Sequence, residues 1–527
     1  MAEIKFTSKT SATVSFRHTL SILIAVVVVS SLLAQERSVT SSGKRKIDLI
    51  YADEDIVIRE ELTGQDIHHI IGNVKFRMDE STLTCDSAHY FPDKMQIVAF
   101  SRAHIEQGDT LDLFGDYMFY DGKIDVALVR GNVELIDKET HLYTNSIDYN
   151  VKTQVADYRN RGRITNADNT LTSIIGVYYA YENLFHFKDS VKIVNPDYIM
   201  TSDTMNYNTR TETVLFTGPT EVIGDSLYMF CERGWYDTRK DVSSIWKNAM
   251  IDNRQNTLRG DSLFYNDSLG YGQGFRNVVM EDTTNNLFVM GNYAEYHKKP
   301  ESYFVTDRAM FIQVSNGDSL FLHADTIRGI TFTDTTKGFI EYRLVKAFYN
   351  VRVFSKDIQA KCDSLSFSLQ DTVIRLYHDP VLWSVDNQLT SDSMAIFSKN
   401  QQTDRLELYN SAFVVSQLDT LRYQQIKGNN LTAYFKNDEI FKILIKGNGE
   451  SIYYLLDGEE LAGINQSKST DIEIYFDQGK VSEVVEDQNP EGFIDPPEPL
   501  SLKEPRLTGF NWFGAIRPKE KSDIFLK

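Results

Sequence analysis

Apolar and polar side chains alternate with a period of two along most of the chain, from about residue 56 to residue 454. Val74, Phe76 and Met78 fall on one face of such a run, and the residues between them are basic. Alternation of this kind, rich in Val, Ile, Phe and Tyr, is typical of half-buried strands. Helical periodicity is sparse over the same range, so the pattern predicts an all-β chain.

A short phrase typified by Gly-Asn-Val recurs at regular intervals and predicts a repeat array. We interpret it as the start of a strand, and it occurs with variation at Asn73, Arg102, Asn132, Arg161, Ser190, Pro219, Asn248, Asn277, Arg308, Asn350, Asp379, Ser411 and Asn448. The first seven intervals are 29, 30, 29, 29, 29, 29 and 29 residues. The chain is therefore predicted to contain about 13 repeats of about 29 residues.

A second phrase, Asp or Asn followed four residues later by an aromatic residue, usually lies 13 residues after the first. It occurs at Asp86/Tyr90, Asp116/Tyr120, Asn145/Tyr149, Asp203/Tyr207, Asp261/Tyr265, Asn292/Tyr296, Asp363/Phe367 and Asn430/Tyr434, with Glu232/Tyr236 as a variant. Each repeat therefore holds two strands. We expect the acidic residue to form local hydrogen bonds before a turn rather than bind calcium. The tyrosine is expected to pack across strands rather than stack on sugars.

Tight-turn residues follow the aromatic position, as in Asp121-Gly122 and Asn208-Thr209, and they predict hairpins. Hairpin strands are antiparallel, whereas a parallel solenoid would place broader bends there. We therefore predict an elongated antiparallel β-jelly roll, a curled sheet that forms a groove.

All three cysteines, Cys85, Cys231 and Cys362, occupy the small-residue position just before the acidic residue of the second phrase. Cys85 and Cys231 lie five repeats apart, which corresponds to more than about 20 Å at the usual strand spacing. A disulfide needs Cα atoms within about 7 Å. We expect three unpaired, buried cysteines.

The chain of 527 residues is 42% hydrophobic and has a formal net charge of −19. This composition predicts a folded protein, and the negative charge argues against nucleic-acid binding. HExxH, CxxC, GxSxG, P-loop and dinucleotide motifs are missing. The adjacent His68 and His69 would point to opposite faces of a strand. We therefore predict no enzyme, no catalytic residue, no cofactor and no metal site.

Composition divides the chain into four parts. Residues 1–34 combine a basic start with an apolar run of 14 residues, too short for a membrane-spanning helix of about 20, and predict a cleaved signal peptide. Residues 35–55 are predicted to be a linker, and residues 56–487 the repeat array. Residues 488–527 form a proline-rich tail with six of the eleven prolines in its last 38 residues. The tail aromatics Phe510, Trp512 and Phe513 need burial, either against the array or on a partner.

The repeated apolar face predicts a long hydrophobic interior. It would be either a filled core or a groove into which acyl chains slide, and the pattern leaves both open. The candidate groove residues are Val74, Phe76, Met78, Val133, Leu135, Val191 and Ile193.

Several phrases resemble the OstA-like group, which includes LptA and the periplasmic domain of LptD. They are Gly72-Asn73-Val74-Lys75-Phe76, Gly131-Asn132-Val133-Glu134-Leu135, Leu83-Thr84-Cys85-Asp86-Ser87-Ala88-His89-Tyr90 and the hairpin Tyr475-Phe476-Asp477-Gln478-Gly479-Lys480-Val481. The resemblance covers roughly residues 50–487. Because the array is much longer than a single-module LptA, it allows two or more fused modules.

The resemblance implies a jelly roll in the periplasm of a Gram-negative cell, in some association with the outer membrane. Such a protein binds lipopolysaccharide, holds its acyl chains in the groove and passes it toward the outer membrane. It joins other Lpt-type jelly-roll proteins by edge-strand pairing. The alternatives are an exported β-repeat scaffold or adhesin with a filled core, and a polysaccharide-active enzyme on a β-helix.

Overall fold

The structure is a computed structural model of the chain. It describes residues 47–60, 64–108, 111–166, 169–225, 227–252, 254, 256–315, 318–334, 340–368, 370–399, 402–436, 439–457, 460–477, 480–495 and 504–526. The predicted signal peptide, residues 1–34, lies outside these ranges.

The described residues form an almost continuous succession of strands, which we number in chain order. They are β1 (Ile47–Tyr51), β2 (Glu54–Arg59), β3 (Asp66–Met78), β4 (Ser81–Phe91), β5 (Gln96–Gln107), β6 (Leu111–Asp121), β7 (Val126–Asp137), β8 (Thr140–Asn150), β9 (Val155–Tyr158), β10 (Gly162–Asn166), β11 (Asn169–Ser173), β12 (Ile175–Tyr179), β13 (Leu184–Val194), β14 (Tyr198–Asn208), β15 (Thr213–Phe216), β16 (Thr220–Gly224), β17 (Tyr228–Cys231), β18 (Arg233–Asp237) and β19 (Val242–Asp252). The second half continues with β20 (Asn256–Asn266), β21 (Tyr271–Asp282), β22 (Leu287–Lys298), β23 (Glu301–Thr306), β24 (Met310–Ser315), β25 (Asp318–His323), β26 (Thr326–Asp334), β27 (Ile340–Phe354), β28 (Ile358–Ser368), β29 (Val373–Tyr377), β30 (Val381–Ser384), β31 (Asn387–Thr390), β32 (Ser393–Lys399), β33 (Gln402–Gln417), β34 (Tyr423–Lys436), β35 (Glu439–Asp457), β36 (Glu460–Asp477), β37 (Lys480–Asp487) and β38 (Glu491–Asp495). Short 3-10 turns occupy Pro92–Lys94, Ala180–Glu182, Gly514–Ile516 and Lys521–Phe525.

Neighbouring strands pair antiparallel throughout the described ranges, for example β3 with β4, β20 with β21 and β35 with β36. The predicted all-β class and antiparallel jelly roll are confirmed. A parallel β-helix, on which the enzyme alternative depends, does not fit this pairing.

The Gly-Asn-Val phrase marks a bend within a strand at nine of the thirteen positions, so its interpretation as a strand start is wrong there. It does precede a strand at the other four, Arg161, Pro219, Arg308 and Asp379. Gly72 and Asn73 have φ values of +83° and +49° in the middle of β3, and the register with β4 shifts there. Twelve of the thirteen predicted positions have positive φ, and the exception is Pro219, whose ring fixes a negative φ. Left-handed residues bend the strand sharply, as in a β-bulge.

The bends fold the sheet into two layers that face each other. In β3 the part before the bend pairs with β2 and the part after it pairs with β1. We name the layers after Ile70, which precedes the bend, and Phe76, which follows it. The Phe76 ring lies 5.5 Å from that of Tyr90, which belongs to the Ile70 layer. Inward side chains of both layers thus meet in one interior.

Buried hydrophobic residues form two clusters that follow each other along the array. The first extends from Ile70 to Leu263 and the second from Val278 to Ile474. Strand β21 contributes Val278 to the second cluster, but its other two buried positions, which precede the bend, are Gly272 and Gly274. Strand pairing continues across this division, because β20 pairs with β21.

Both ends of the array extend beyond the predicted boundaries. Strand β1 begins at Ile47, within the predicted linker 35–55, and β38 lies within the predicted tail 488–527. The bend phrase explains the second difference, since Gln488 and Asn489 also have positive φ and continue the array by one more bent strand. Residues 504–526 then fold back onto the array.

Candidate functional site

The seven predicted groove residues share one wall of the interior. They lie in the Phe76 layer on β3, β7 and β13, and each exposes only 0–6% of its surface. All belong to the first hydrophobic cluster, so at these positions the interior is filled by the protein's own side chains. The residues are Val74, Phe76, Met78, Val133, Leu135, Val191 and Ile193.

Three of these residues belong to a single cross-strand row that runs nearly the whole length of the array. In this Phe76 row, directly paired residues on successive strands are all hydrophobic. The row is Leu49, Phe76, Leu83, Ile105, Leu113, Leu135, Leu142, Ile164, Leu171, Ile193, Met200, Val222, Met229, Ile251, Leu258, Met280, Val289, Phe311, Leu322, Val353, Ala360, Leu382, Leu389, Val414 and Ile426. The row is an unbroken apolar track perpendicular to the strands.

A second row in the Ile70 layer faces it and contains smaller side chains. Its register is continuous from Ile70 to Ile147 and again from Tyr158 to Ile472. Glycine or alanine occupies seven of its positions, which are Ala88, Ala99, Gly176, Gly234, Gly274, Ala294 and Ala347. A wall of large aliphatic groups therefore packs against a wall with many small ones.

Polar contacts join the two layers on the side opposite the bends, and we call them clasps. The Tyr149 hydroxyl donates to Gln107 Oε1, and Gln107 Nε2 donates to the Val151 carbonyl at 2.8 Å. The Tyr178 hydroxyl likewise donates to the carboxylate of Asp137. The clasps therefore close the open side of the interior.

The clasp residues Tyr149, Tyr178 and Asp137 are buried. Burial raises the pKa of the Tyr149 hydroxyl, and burial together with the Asp137 hydrogen bond raises that of Tyr178. Asp137 Oδ1 is buried and has no hydrogen-bond partner among the described residues. In the second half of the array, Arg343 Nη1 lies 3.5 Å from Asp282 Oδ2.

The sequence interpretation missed the clasps. A signal for them exists, because Gln107 and Asp137 are polar residues two positions after the inward Ile105 and Leu135. Each interrupts the alternation at the end of its strand.

The acidic residues of the second phrase bind the bend of the neighbouring strand. Asn132 Nδ2 donates to Asp116 Oδ2 at 2.7 Å, and Arg102 Nε donates to Asp86 Oδ1 at 2.9 Å. This hydrogen bonding also holds the pKa of Asp86 below its usual value. The predicted local hydrogen bonding is present, but at a bend rather than before a turn.

Turn chemistry of the predicted kind lies at the hairpins, where Asp121 Oδ1 accepts from the Lys123 amide at 2.9 Å. Within the ranges that the structure describes, no group of three or more His, Cys, Asp and Glu side chains is placed to hold a metal ion. In the same ranges, no helix is long and apolar enough to cross a membrane.

The three cysteines are free and buried, as predicted. Burial is the main cause that raises the pKa of each thiol to about 12. The small-residue position faces the interior beside the bend. At Gly115, which occupies it in β6, an added Cβ would lie 2.3 Å from Val129 Cγ1. Steric crowding therefore explains the restriction to small side chains.

At each end of the array the last strands are paired on one side only. In the described residues, β1 and β2 pair only with β3, and β37 and β38 pair only with β36. On β2 the side chains of Ile56, Val57 and Ile58 are 47%, 54% and 46% exposed. Unpaired strands of this kind can accept another strand.

Comparison with known proteins agrees with the resemblance for part of the chain. Residues 44–203 match the family model described as OstA-like protein. No curated protein matches the chain. The crystal structure of LptH, the LptA homologous periplasmic component of the conserved lipopolysaccharide transport device from Pseudomonas aeruginosa, is similar at 17% identity, with a TM-score of 0.19, over 20% of this chain and 79% of that chain. The family match extends from β1 into β14, so residues 44–203 are similar to the OstA-like family.

Proposed function

We propose that this chain is an Lpt-type periplasmic protein that binds lipopolysaccharide and passes it toward the outer membrane. The observation that supports this most is the Phe76 row, because it offers a hydrocarbon chain the same apolar surface at every strand. The OstA-like match covers the first part of that row.

Acyl chains would lie between the two layers, against Val74, Phe76, Met78 and the four other predicted groove residues. Burial of each methylene contributes about 0.8 kcal/mol, so ten methylenes would contribute about 8 kcal/mol. Burial of the acyl chains must supply most of the binding free energy, because the net charge of −19 repels a phosphorylated lipid. The sugar portion would remain in water.

The interior must open to admit an acyl chain. On one side of the interior the two layers are joined by the backbone of the bent strands. On the other side they are joined only by side-chain contacts, such as the clasps of Tyr149 and Tyr178. Breaking these contacts exposes the interior without breaking strand pairing. Lipid would therefore enter on the clasp side.

The unpaired edges would join the array to other Lpt-type jelly-roll proteins. Strand addition at β1 or β38 would extend the Phe76 layer into the next protein, and addition at β2 would extend the Ile70 layer. Transfer in this arrangement requires no catalytic residue, no cofactor and no metal.

Photo-crosslinking in cells tests the proposal. A photoreactive residue at Phe76, Leu135 or Ile193 should give lipopolysaccharide adducts, and the outward positions Lys75 and Glu134 should give none. Absence of adducts at every inward position, in a chain that is folded and exported, would contradict the proposal.

The second candidate is a β-repeat scaffold or adhesin with a filled core. The burial of all seven groove residues at 0–6% exposure favours it. A scaffold would give no lipid adducts at any of the five positions, so the same crosslinking experiment separates the two candidates.

A further inference from the structure

The C-terminal segment, residues 504–526, lies across the outer face of the second half of the array. It begins at β35, where the Tyr454 hydroxyl donates to Glu504 Oε2 at 2.7 Å. It ends at β27, where Arg352 Nε donates to the Leu526 carbonyl at 3.0 Å. The segment therefore crosses the strands in the reverse order of the chain.

Three glutamines on this outer face bind the segment. Gln359, Gln388 and Gln425 lie on β28, β31 and β34 and are only 3%, 1% and 0% exposed. Strand register places them in one cross-strand row, where they alternate with Trp383 and Val415. We call these five residues the glutamine row.

Two of the glutamines bind the backbone of the segment through both the oxygen and the nitrogen of the side-chain amide. Gln425 Oε1 accepts from the Leu507 amide at 2.9 Å, and its Nε2 donates to the Pro505 carbonyl at 3.1 Å. Gln388 Oε1 accepts from the Phe513 amide at 2.6 Å, and its Nε2 donates to the Asn511 carbonyl at 2.8 Å. Both donor and acceptor are thus satisfied by the main chain of the segment.

Aromatic side chains of the segment fill the space between these contacts. The rings of Phe510 and Trp512 lie 5.3 Å and 5.2 Å from that of Tyr423. The guanidinium of Arg506 lies 4.9 Å from the Tyr423 ring and 4.7 Å from that of Phe510. The three rings form a hydrophobic cluster separate from the interior, together with Phe413, Val415 and Leu507.

The far end of the segment is held in the same way. Arg517 Nε donates to Gln359 Oε1 at 2.7 Å, and its Nη1 donates to the Val385 carbonyl at 2.7 Å. The ring of Phe525 lies 4.6 Å from that of His323 and 4.6 Å from the guanidinium of Arg308. Contacts therefore extend over both ends and the middle of the segment.

The segment is bound as a ligand would be, because it forms no strand and adds nothing to the sheet. Its contacts with the glutamine row are made by side chains of the array. Three prolines in residues 496–503 separate it from β38 in the sequence. Two buried glutamine amides without partners would be costly, so this face is built to receive a backbone.

One group under the segment has no partner. Trp383 lies between Gln359 and Gln388 in the row and is 0% exposed, and its indole Nε1 has no hydrogen-bond partner among the described residues. A ligand with a carbonyl at this point would bind better than the resident segment does. The resident segment is therefore an imperfect fit to the face.

We propose that the glutamine row and Tyr423 form a peptide-binding site and that residues 504–526 are its exchangeable ligand. The site takes an extended segment with aromatic residues spaced as Phe510 and Trp512 are, and with a free main chain opposite Gln388 and Gln425. This site is on the outer face and is independent of the proposed lipid-binding interior.

The full-length chain with a specific protease site placed within residues 496–503 tests the proposal. After cleavage, residues 504–526 should co-elute with the array, and a fluorescent synthetic peptide of the same sequence should replace them, as measured by anisotropy. Replacing Gln388 or Gln425 by Ala should weaken peptide binding about tenfold each, because two hydrogen bonds are lost. Gln402→Ala, at an exposed position of β33 away from the row, is the matched control.

Peptide substitution supplies the second control. A peptide that contains Phe510→Ala and Trp512→Ala should not compete. The proposal is overturned if the cleaved segment never exchanges, if the cleaved chain unfolds by circular dichroism, or if the Gln388→Ala and Gln402→Ala chains bind the peptide equally.

Discussion

Individual residues of the repeat have roles that depend on the left-handed bend. Asn132, with a φ of +46°, adopts a conformation that most side chains disfavour, and its side chain donates to Asp116. Asn248 does the same with Glu232 at 2.6 Å. Asparagine suits this position for two reasons, since it tolerates a positive φ and its side chain supplies the hydrogen bond.

Replacing Asn132 by Ala should destabilise the protein by about 1–2 kcal/mol, because alanine disfavours positive φ. Urea unfolding followed by circular dichroism measures the change. Asn132→Gly keeps the conformational freedom and loses only the hydrogen bond, so it should cost less than Asn132→Ala. Equal effects of the two substitutions would show that the backbone conformation is not the cause.

The three cysteines should not react with thiol reagents in the native protein. The reactive species is the thiolate, and a pKa of about 12 leaves a fraction of about 0.0001 ionised at pH 8. Disulfide-exchange titration with a chromogenic reagent at pH 8 should show no reaction until denaturant is added, and three thiols afterwards. Reaction of any thiol before unfolding would mean that its surroundings open.

The bent strand is the repeated element of this fold, and the clasps close the interior between the two layers. A bent strand such as β3 or β7 contributes to both layers, and a contact between the layers such as Tyr178 with Asp137 joins residues 41 positions apart. The clasp depends on a buried carboxylate that already has one unpartnered oxygen. Removing its remaining partner should therefore have a large effect.

Tyr178→Phe should destabilise the protein by about 1–3 kcal/mol, because it leaves the Asp137 carboxylate buried without this donor. Thermal unfolding measures the loss. Tyr179→Phe, at the adjacent and more exposed position, should change stability by less than about 0.5 kcal/mol. The clasp interpretation fails if Tyr178→Phe is as stable as Tyr179→Phe.

The elements could be predicted from the sequence to a considerable extent, but their bends could not. Alternation around Phe76 gave the inward face, and the 29-residue period gave the repeat. Gly72-Asn73 signals positive φ whether it ends a strand or bends it, so a local pattern could not separate the two. The partner of Gln107, 42 residues away, depends on layer closure. The fit of residues 504–526 to Gln388 depends on contacts more than 120 residues apart.

The whole molecule combines a continuous apolar row with an unpaired edge at each end. On β2 every residue is exposed, and three consecutive residues are aliphatic. Natural edge strands usually avoid such a surface, because it invites pairing with another chain. This edge is therefore the part of the surface most suited to association with a second jelly roll.

Val57→Lys should weaken association at the β2 edge at least tenfold, since a lysine on an edge strand opposes strand addition. Sedimentation velocity over a range of concentrations measures self-association, and the same variant can be tested for association with Lpt-type jelly-roll proteins. Ile124→Lys replaces an aliphatic residue that is 61% exposed in the turn between β6 and β7, and should have no effect. Equal loss in both variants would point to general hydrophobic contact.

At several bends the acceptor lies 16 residues earlier, as Asp86 does for Arg102 and Asp116 for Asn132, and this spacing has a consequence for how the gene can change in length. Loss of residues 102–131, one whole repeat, would place Asn132 16 residues after Asp86, where Arg102 now lies, and leave every strand running in its original direction. Loss of a single strand would reverse the direction of all that follow. In-frame loss or duplication of one repeat therefore shortens or lengthens the array by two strand spacings, about 10 Å, and keeps the same contacts between neighbouring repeats. The span of such a protein can then evolve in fixed steps to match the distance it must cover.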